Sequence, residues 1–222
     1  MKVSAILPMK AHSERVKNKN MRIFNGRPLY HKIANELLKA KSVKNIYINT
    51  DSDEIIKDVK KTFPMINLIV RPKYLRGDLI SMNKIIEYDI KQIDSDHFIQ
   101  THSTNPLVKA ETIDNAIQKY FNYIDKYDSL FSVTELKTRL YDASLRPINH
   151  NPKELIRTQD LPSLFEENSN FYIFSKHSFN KSSNKRIGKK PNLFVVDKIQ
   201  SIDIDEEDDF FLAEIIDKFQ ST

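Results

Sequence analysis

The feature that most constrains this chain is an alternation. Short apolar runs of five or six residues take turns with longer stretches whose apolar residues recur at helical spacing. Val3 to Pro8, Ile46 to Thr50, Ile66 to Val70, His97 to Thr101 and Ser129 to Thr134 read as strands. Between them, the stretch from Arg27 places apolar residues at 29, 30, 33, 34, 37 and 38, with Pro28 near the first helical position. Ser52 to Phe63 has the acidic start that suits a helix N-terminus, and a third helical stripe follows Ser81, a possible cap. The segment from Glu111 repeats the pattern at 113, 116, 117, 120, 121 and 124. Such alternation predicts an α/β fold, a mostly parallel sheet flanked by helices. Ligands in such sheets bind beyond the carboxyl ends of the strands. The loops to watch therefore follow Pro8, Thr50, Val70, Thr101 and Thr134.

The alternation lapses between about 135 and 170, where Pro147, Pro152 and Pro162 interrupt a polar stretch. This reads as an excursion from the sheet, a lid or an interface. Phe171 to Ser175, Leu193 to Asp197 and Ile199 to Asp203 return to strand patterns, and an acidic-headed helix closes the chain. The chain reads as one domain over 1–222.

Composition narrows the function. The 222 residues include no cysteine, which removes disulfides, thiolate catalysis and cysteine-ligated zinc. The opening apolar run is too short for a secretory signal, and no run approaches the roughly 18 apolar residues of a membrane span. A cytoplasmic protein without a membrane partner is expected. The 35 basic and 30 acidic residues leave a net charge of +5, which suits an anionic small molecule. Basic and aromatic residues are not interleaved, so a nucleic-acid partner is not expected.

Two groups of residues carry candidate chemistry. Leu7 to Asn20 follows the first strand and holds Lys10, Arg15, Lys17 and Lys19 against Glu14 alone. A strand–loop–helix start with several cations suits polyphosphate, although neither G-x-x-x-x-G-K-[ST] nor G-x-G-x-x-G is present. The same charges also fit a solvated basic turn. Far along the chain, Asp203 and Asp205 stand two apart at an expected strand end and so share a face. Two such carboxylates suit Mg2+, which takes oxygen ligands and completes its shell with phosphate and water. Asp208 and Asp209 need do no more than favour a helix N-terminus. Polar loops add Asp51, then Arg71, Arg76 and Asp78, then Gln100, Thr101, His102, Ser103 and Asn105, all on one rim, as a sugar or nucleotide site requires. His31, His97, His150 and His177 form no ligand spacing.

In order, these motifs resemble the acylneuraminate cytidylyltransferase family. The opening Leu7-Pro8-Met9-Lys10, Ser13 and Asn18-Lys19-Asn20 is similar to its I-P-A-R-x-x-S-K-x-x-x-x-K-N. The likeness continues through Thr50-Asp51, "RPKYLRGD", "QTHSTNPL", "RTQDLPSLFEENSNFYIF" and "SIDIDEEDDF", nearly the whole chain. The resemblance implies a Rossmann-like nucleotidyltransferase that works as a homodimer, with the 135–170 excursion as the dimerisation element reaching the partner's sugar site. It implies transfer of CMP from CTP to a nonulosonate-type 2-keto sugar acid, with Mg2+ as cofactor. Related acceptors with the same chemistry are 3-deoxy-manno-octulosonate, a diamino-nonulosonate or a phosphonate; a non-catalytic nucleotide-binding regulator is the other class.

By position, the resemblance implies that Lys10 and Ser13 meet the triphosphate with Pro8 beside them. Lys19 would meet phosphate and Asn20 the cytosine. Arg71 would lie near base or ribose, with Asp78 close by. Gln100 and Ser103 would meet the sugar, as would the motif residues Arg157, Gln159, Asn168 and Tyr172. Asp203 and Asp205 would bind the metal, and with Lys10 and Lys19 make up the catalytic set. The sequence departs from the pattern at Lys10 (arginine in the family), at Glu14 (lysine there, with Arg15 or Lys17 as replacement charge), in the longer loop after Gln100 and at Ser169-Asn170. These departures fall mostly on the acceptor side.

Overall fold

Every residue of the first strand, β1 (Val3–Met9), is buried, because it runs through the middle of a sheet covered on both faces. In the computed structural model, which describes residues 2–220, β1 lies between β4 (Val43–Thr50) and β6 (His97–Thr101), parallel to both. β5 (Asn67–Val70) extends the sheet parallel to β4. On the other side come β8 (Leu164–Ser175), β7 (Ser129–Leu136) and β9 (Pro191–Val195). The seven-stranded order is β5-β4-β1-β6-β8-β7-β9. β8 runs antiparallel to β6 and β7, whereas β9 is parallel to β7. The expected mostly parallel α/β sheet is therefore present, with one reversed strand inside it.

Alternation along β1 distributes the core between two faces. Ala5 and Leu7 pack with Ile33 and Leu37 of α1 (Tyr30–Lys39), Ile55 and Val59 of α2 (Asp53–Thr62), and Ile113 and Ile117 of α4 (Ala110–Asn122). Ile6 faces the other way, toward Ile86 and Ile90 of α3 (Met82–Gln92), Phe174, and Phe179 of the short α5 (Lys176–Lys181). A third cluster joins Val16 of the opening loop and Leu29 to Ile204 and Phe210, the last on α6 (Glu207–Gln220).

Several local expectations are corrected. Arg27 and Pro28 form a two-residue strand, β3, paired with β2 (Ile23–Phe24) around Asn25-Gly26, both with positive φ, and the helix starts at Tyr30. This turn chemistry is what a tight hairpin demands. Ser81 precedes α3 but makes no capping bond, whereas Ser52 caps α2 by accepting from Ile55 N at 3.3 Å. The excursion is narrower than 135–170, because Glu135 and Leu136 pair with Phe165 and Leu164; residues 137–163 are the irregular part. Ile199 to Asp203 is not a strand. The Asp197 carboxylate accepts from Ile199 N and Gln200 N, both at 3.0 Å, and folds the chain into a turn in place of a ladder.

Candidate active site

Beyond the carboxyl ends of β1 and β6 the sheet opens into a cavity of about 340 Å³. Pro8, Lys10, Ser13, Arg15, Lys19, Asn20, Arg71, Asp78 and Ser103 line it, together with Glu14 and His102. Most of the residues singled out in the sequence thus converge on one cleft. The opening loop is held over it by Val16, fully buried in the third cluster, and by a reversal at Asn18, whose φ of 53° is positive.

Asn20 is held from two sides. Its Nδ2 donates to Lys10 O at 3.0 Å and its Oδ1 accepts from Ser103 Oγ at 2.6 Å, so its amide orientation is set. Lys19 is 8% exposed; its Nζ donates to Ile204 O and lies 3.9 Å from Asp205 Oδ1. Burial lowers its pKa, against the opposing pull of Asp205 and Asp203. The two other loop cations that line the cleft, Lys10 and Arg15, are exposed and paired. Lys10 Nζ meets Asp78 Oδ1 at 2.6 Å, which holds Asp78 below the usual carboxylate range. Arg15 meets Asp205 at 2.6 Å and Glu206 at 3.3 Å, and Asp205 raises its pKa.

Asp203 and Asp205 do not end a strand. Ile204 between them is buried in the third cluster, and its N donates to Thr104 O at 2.8 Å. Burial raises the Asp203 pKa, as do the charges of Asp205 and Asp209, and its Oδ1 is buried with no hydrogen-bond partner. Asp209 accepts from Asp205 N and Glu206 N at 3.0 and 2.8 Å, the expected helix-start role.

Arg71 lines the cleft but most of its donors are already used. It is 4% exposed; Nε donates to Asn49 Oδ1 at 2.7 Å and Nη2 to Met9 O at 3.1 Å. Asn49 in turn donates to Asp89 Oδ1 at 2.5 Å. Burial lowers the Arg71 pKa and pushes the Asp89 carboxyl up to about 7. Gln100, fully buried, donates to Thr101 O at 2.8 Å and accepts from Arg186 Nη1 at 2.6 Å. Tyr172 is buried beneath Arg186 and donates to Glu167. Asn168 is used structurally, donating to Thr134 Oγ1 at 3.1 Å and Ser201 Oγ at 3.0 Å. Arg157 and Gln159 do not join the cleft. Both are exposed on the excursion, where Arg157 pairs with Asp160 at 2.7 Å. Arg186 was missed in the sequence, where it reads as one charge in the basic stretch Asn184 to Lys190.

Among the described residues no three His or acidic side chains cluster as a metal cage, and none of the four histidines set aside in the sequence enters the cleft. His31 meets Asp58 at 2.6 Å and His97 meets Tyr120 at 3.1 Å.

A mostly parallel α/β sheet with a cation-lined cleft beyond its strand ends and a carboxylate pair beside it suits a nucleotidyltransferase. The chain belongs to the cytidylyltransferase family: the model of that family, described as Cytidylyltransferase, matches residues 4–217. It is 23% identical to the N-acylneuraminate cytidylyltransferase of Escherichia coli O18:K1:H7 over 96% of this chain, but spans only 51% of that protein's length. It is 25% identical to the pseudaminic acid cytidylyltransferase of Campylobacter jejuni serotype O:2, covering 98% of this chain and 97% of that one. In fold it is similar to a CMP:2-keto-3-deoxy-manno-octonic acid synthetase solved with CTP, at TM-score 0.74 and 11% identity over 99% and 100% of the two chains. The 4-diphosphocytidyl-2C-methyl-D-erythritol synthase of Anaerococcus prevotii superposes at TM-score 0.66 and 14% identity, over 98% of this chain and 96% of that one.

Proposed function

We propose that this protein transfers CMP from CTP to a nonulosonate-type 2-keto sugar acid of the N-acylneuraminate or pseudaminate kind. The observation that carries the reading is a cleft lined by Lys19 and the doubly held Asn20, with Asp205 of the Asp203/Asp205 pair 3.9 Å from the Lys19 ammonium, in a chain of the cytidylyltransferase family. The acceptor class rests on the names of the Escherichia coli and Campylobacter jejuni relatives. In the reaction an anomeric hydroxyl attacks the α-phosphorus, the new P–O bond forms, and the bond to the β-phosphate bridge breaks to release pyrophosphate.

The protein's part is positioning and charge. Asn20 presents a fixed amide to the base. Lys19 is already withdrawn from water, so its charge acts on phosphate at low dielectric. Lys10, Ser13 and Arg15 stand along the triphosphate. Asp203 and Asp205 would hold Mg2+: the orphaned, buried Asp203 oxygen fits a cation, and an all-oxygen donor set completed by phosphates is what this ion prefers. When bound, the metal would neutralise charge on the phosphates.

The excursion supports a homodimer. Leu145 and Leu155 are 81% and 92% exposed, and the motif residues Arg157 and Gln159 lie outside their own chain's cleft. A second copy would cover the apolar side chains and receive the polar ones in its acceptor pocket. Among the described residues no helix is long and apolar enough to cross a membrane, which suits the cytoplasmic location of such an enzyme.

The test is pyrophosphate release from CTP and Mg2+ with a panel of N-acetylneuraminate, pseudaminate and 3-deoxy-manno-octulosonate. Turnover is expected with CTP and at least one nonulosonate. Turnover supported only by GTP or UTP, or by no acid of the panel, refutes the assignment.

A further inference from the structure

Arg186 lies in a segment that the fold fastens at both ends. The chain leaves α5 through Ser183 and Asn184, both with positive φ. Arg186 N then donates to Asn83 Oδ1 on α3 at 3.3 Å, and Gly188 N donates to Ser129 Oγ at 2.8 Å. Lys189 N and Lys190 N donate to the Asp128 carboxylate at 2.8 and 3.1 Å. A surface turn of lysines is thereby made to place one arginine inward.

The guanidinium stacks on the Tyr172 ring, its carbon 3.6 Å from the ring centre. Its Nη1 donates to Gln100 Oε1 at 2.6 Å and faces His102 Nε2 at 3.4 Å. His102 is also a wall of the cleft that holds Lys19 and Asn20. Burial lowers the Arg186 pKa, and burial with the Arg186 charge pushes His102 down to about 3, so the imidazole stays neutral. Among the described residues no carboxylate pairs with Arg186, and its Nε and Nη2 donate to nothing; the Glu167 carboxylate is already taken by the Tyr172 hydroxyl. A half-buried flat fork that hydrogen-bonds only neutral acceptors, with the Glu167 carboxylate acting on it through space alone, keeps two donors for an anion.

We propose that Arg186 receives the carboxylate of the sugar-acid acceptor, its fork held in place by Tyr172 and Gln100. The inference rests on the reaction proposed above. The phosphates have their own cations, Lys10, Arg15 and Lys19, on the opening loop. Arg186 does not line that cavity itself; it stands behind His102, on the segment between α5 and β9, and its two free donors suit the bidentate geometry of a carboxylate.

The experiment measures binding by calorimetry with CTP present and metal chelated. The probes are N-acetylneuraminate, pseudaminate, 3-deoxy-manno-octulosonate and the methyl ester of each. Wild type is expected to bind at least one acid more tightly than its ester by about 10-fold or more. Arg186→Met is expected to weaken that acid by about 10- to 100-fold, the loss typical of a charge-assisted bond, while the ester binds as before. Arg186→Lys should recover part of the difference, and CTP should bind the Met variant within about twofold of wild type, since no CTP contact is removed. The inference is overturned if Arg186→Met binds the acid as wild type does, if acid and ester weaken together, or if wild type binds none of the acids. A protein that binds acid through Arg186 but releases no pyrophosphate from CTP refutes the proposed reaction and leaves this role standing.

Discussion

Asp89 offers the sharpest quantitative prediction, because it is a fully buried carboxyl whose ionisation the fold resists. Its Oδ1 accepts from Asn49, its Oδ2 has no partner, and Arg71 reaches it only through Asn49. Burial raises its pKa from an ordinary 3.8 to about 7, with Asn49 and Arg71 opposing the shift. The folded state thus holds the proton more tightly than the unfolded chain does. Its contribution to stability is present at low pH and is lost as pH rises from about 4 to about 7. At 1.36 kcal/mol per pH decade the full loss is about 4 kcal/mol. Roughly 1.5 kcal/mol of this is already lost at pH 5, and the rest by pH 8.5. Asp89→Asn keeps an oxygen for Asn49 and never ionises. Urea unfolding of both proteins at pH 5 and 8.5 should therefore show the variant gaining about 3 kcal/mol on wild type between the two. Arg71 keeps its charge throughout that range and drops out of the comparison. A difference between the two proteins that does not change with pH, or that shrinks toward pH 8.5, refutes the reasoning.

Two further outcomes follow from contacts at the cleft. Lys19→Met removes a buried ammonium but keeps most of its apolar stem. CTP affinity, read by calorimetry, should fall about 10- to 100-fold, and a fall no larger than that of an exposed lysine such as Lys17→Met would count against the phosphate role. Gly188→Ala would place a methyl 2.0 Å from Asp128 Oδ1 and 2.5 Å from its Cγ. Since that carboxylate holds Lys189 N and Lys190 N, the variant should lose about 1–3 kcal/mol in urea unfolding. The loss should nearly vanish when added to Asp128→Ala, where the obstruction is gone.

Much of this was legible in the sequence, and what was not has physical causes. The strands and helical stripes were visible because burial on both faces of β1 and one face of α1, α2 and α4 imposes their periods. The direction of β8 was not, because a period of two carries no sign; the excursion of 137–163 reverses the chain. Ile199 to Asp203 alternates like a strand, but the side chain of Asp197, outside that run, takes two of its N–H groups. Ile204 between Asp203 and Asp205 is anchored by its buried side chain and by Thr104 O, not by a ladder. Arg71 looked like a ligand residue, yet only the fold shows its donors turned to Asn49 and Met9. Arg186 was hidden among lysines. The one available signal was Gly188 in a chain with three glycines, marking a place where backbone comes close to Asp128.

The cations in the cleft and behind its His102 wall fall into two kinds, and the distinction bears on how the site would work. Lys10 and Arg15 are exposed and already neutralised by Asp78 and by Asp205 with Glu206. Exposed pairs are worth about 1 kcal/mol or less and are screened by salt, so phosphate can replace these carboxylates at little cost. Lys19 and Arg186 differ. The first is buried, with a backbone carbonyl as its close partner and Asp205 only at 3.9 Å; the second is half-buried over Tyr172, hydrogen-bonded to neutral acceptors with Glu167 acting on it only through space. Much of their desolvation precedes the ligand, so an incoming anion gains the interaction at a reduced cost. On this reading the exposed pair steers the triphosphate into the cleft and weakens with ionic strength. The two withdrawn cations then account for the retained affinity, one for each substrate, which is the division of labour that a two-substrate transfer needs.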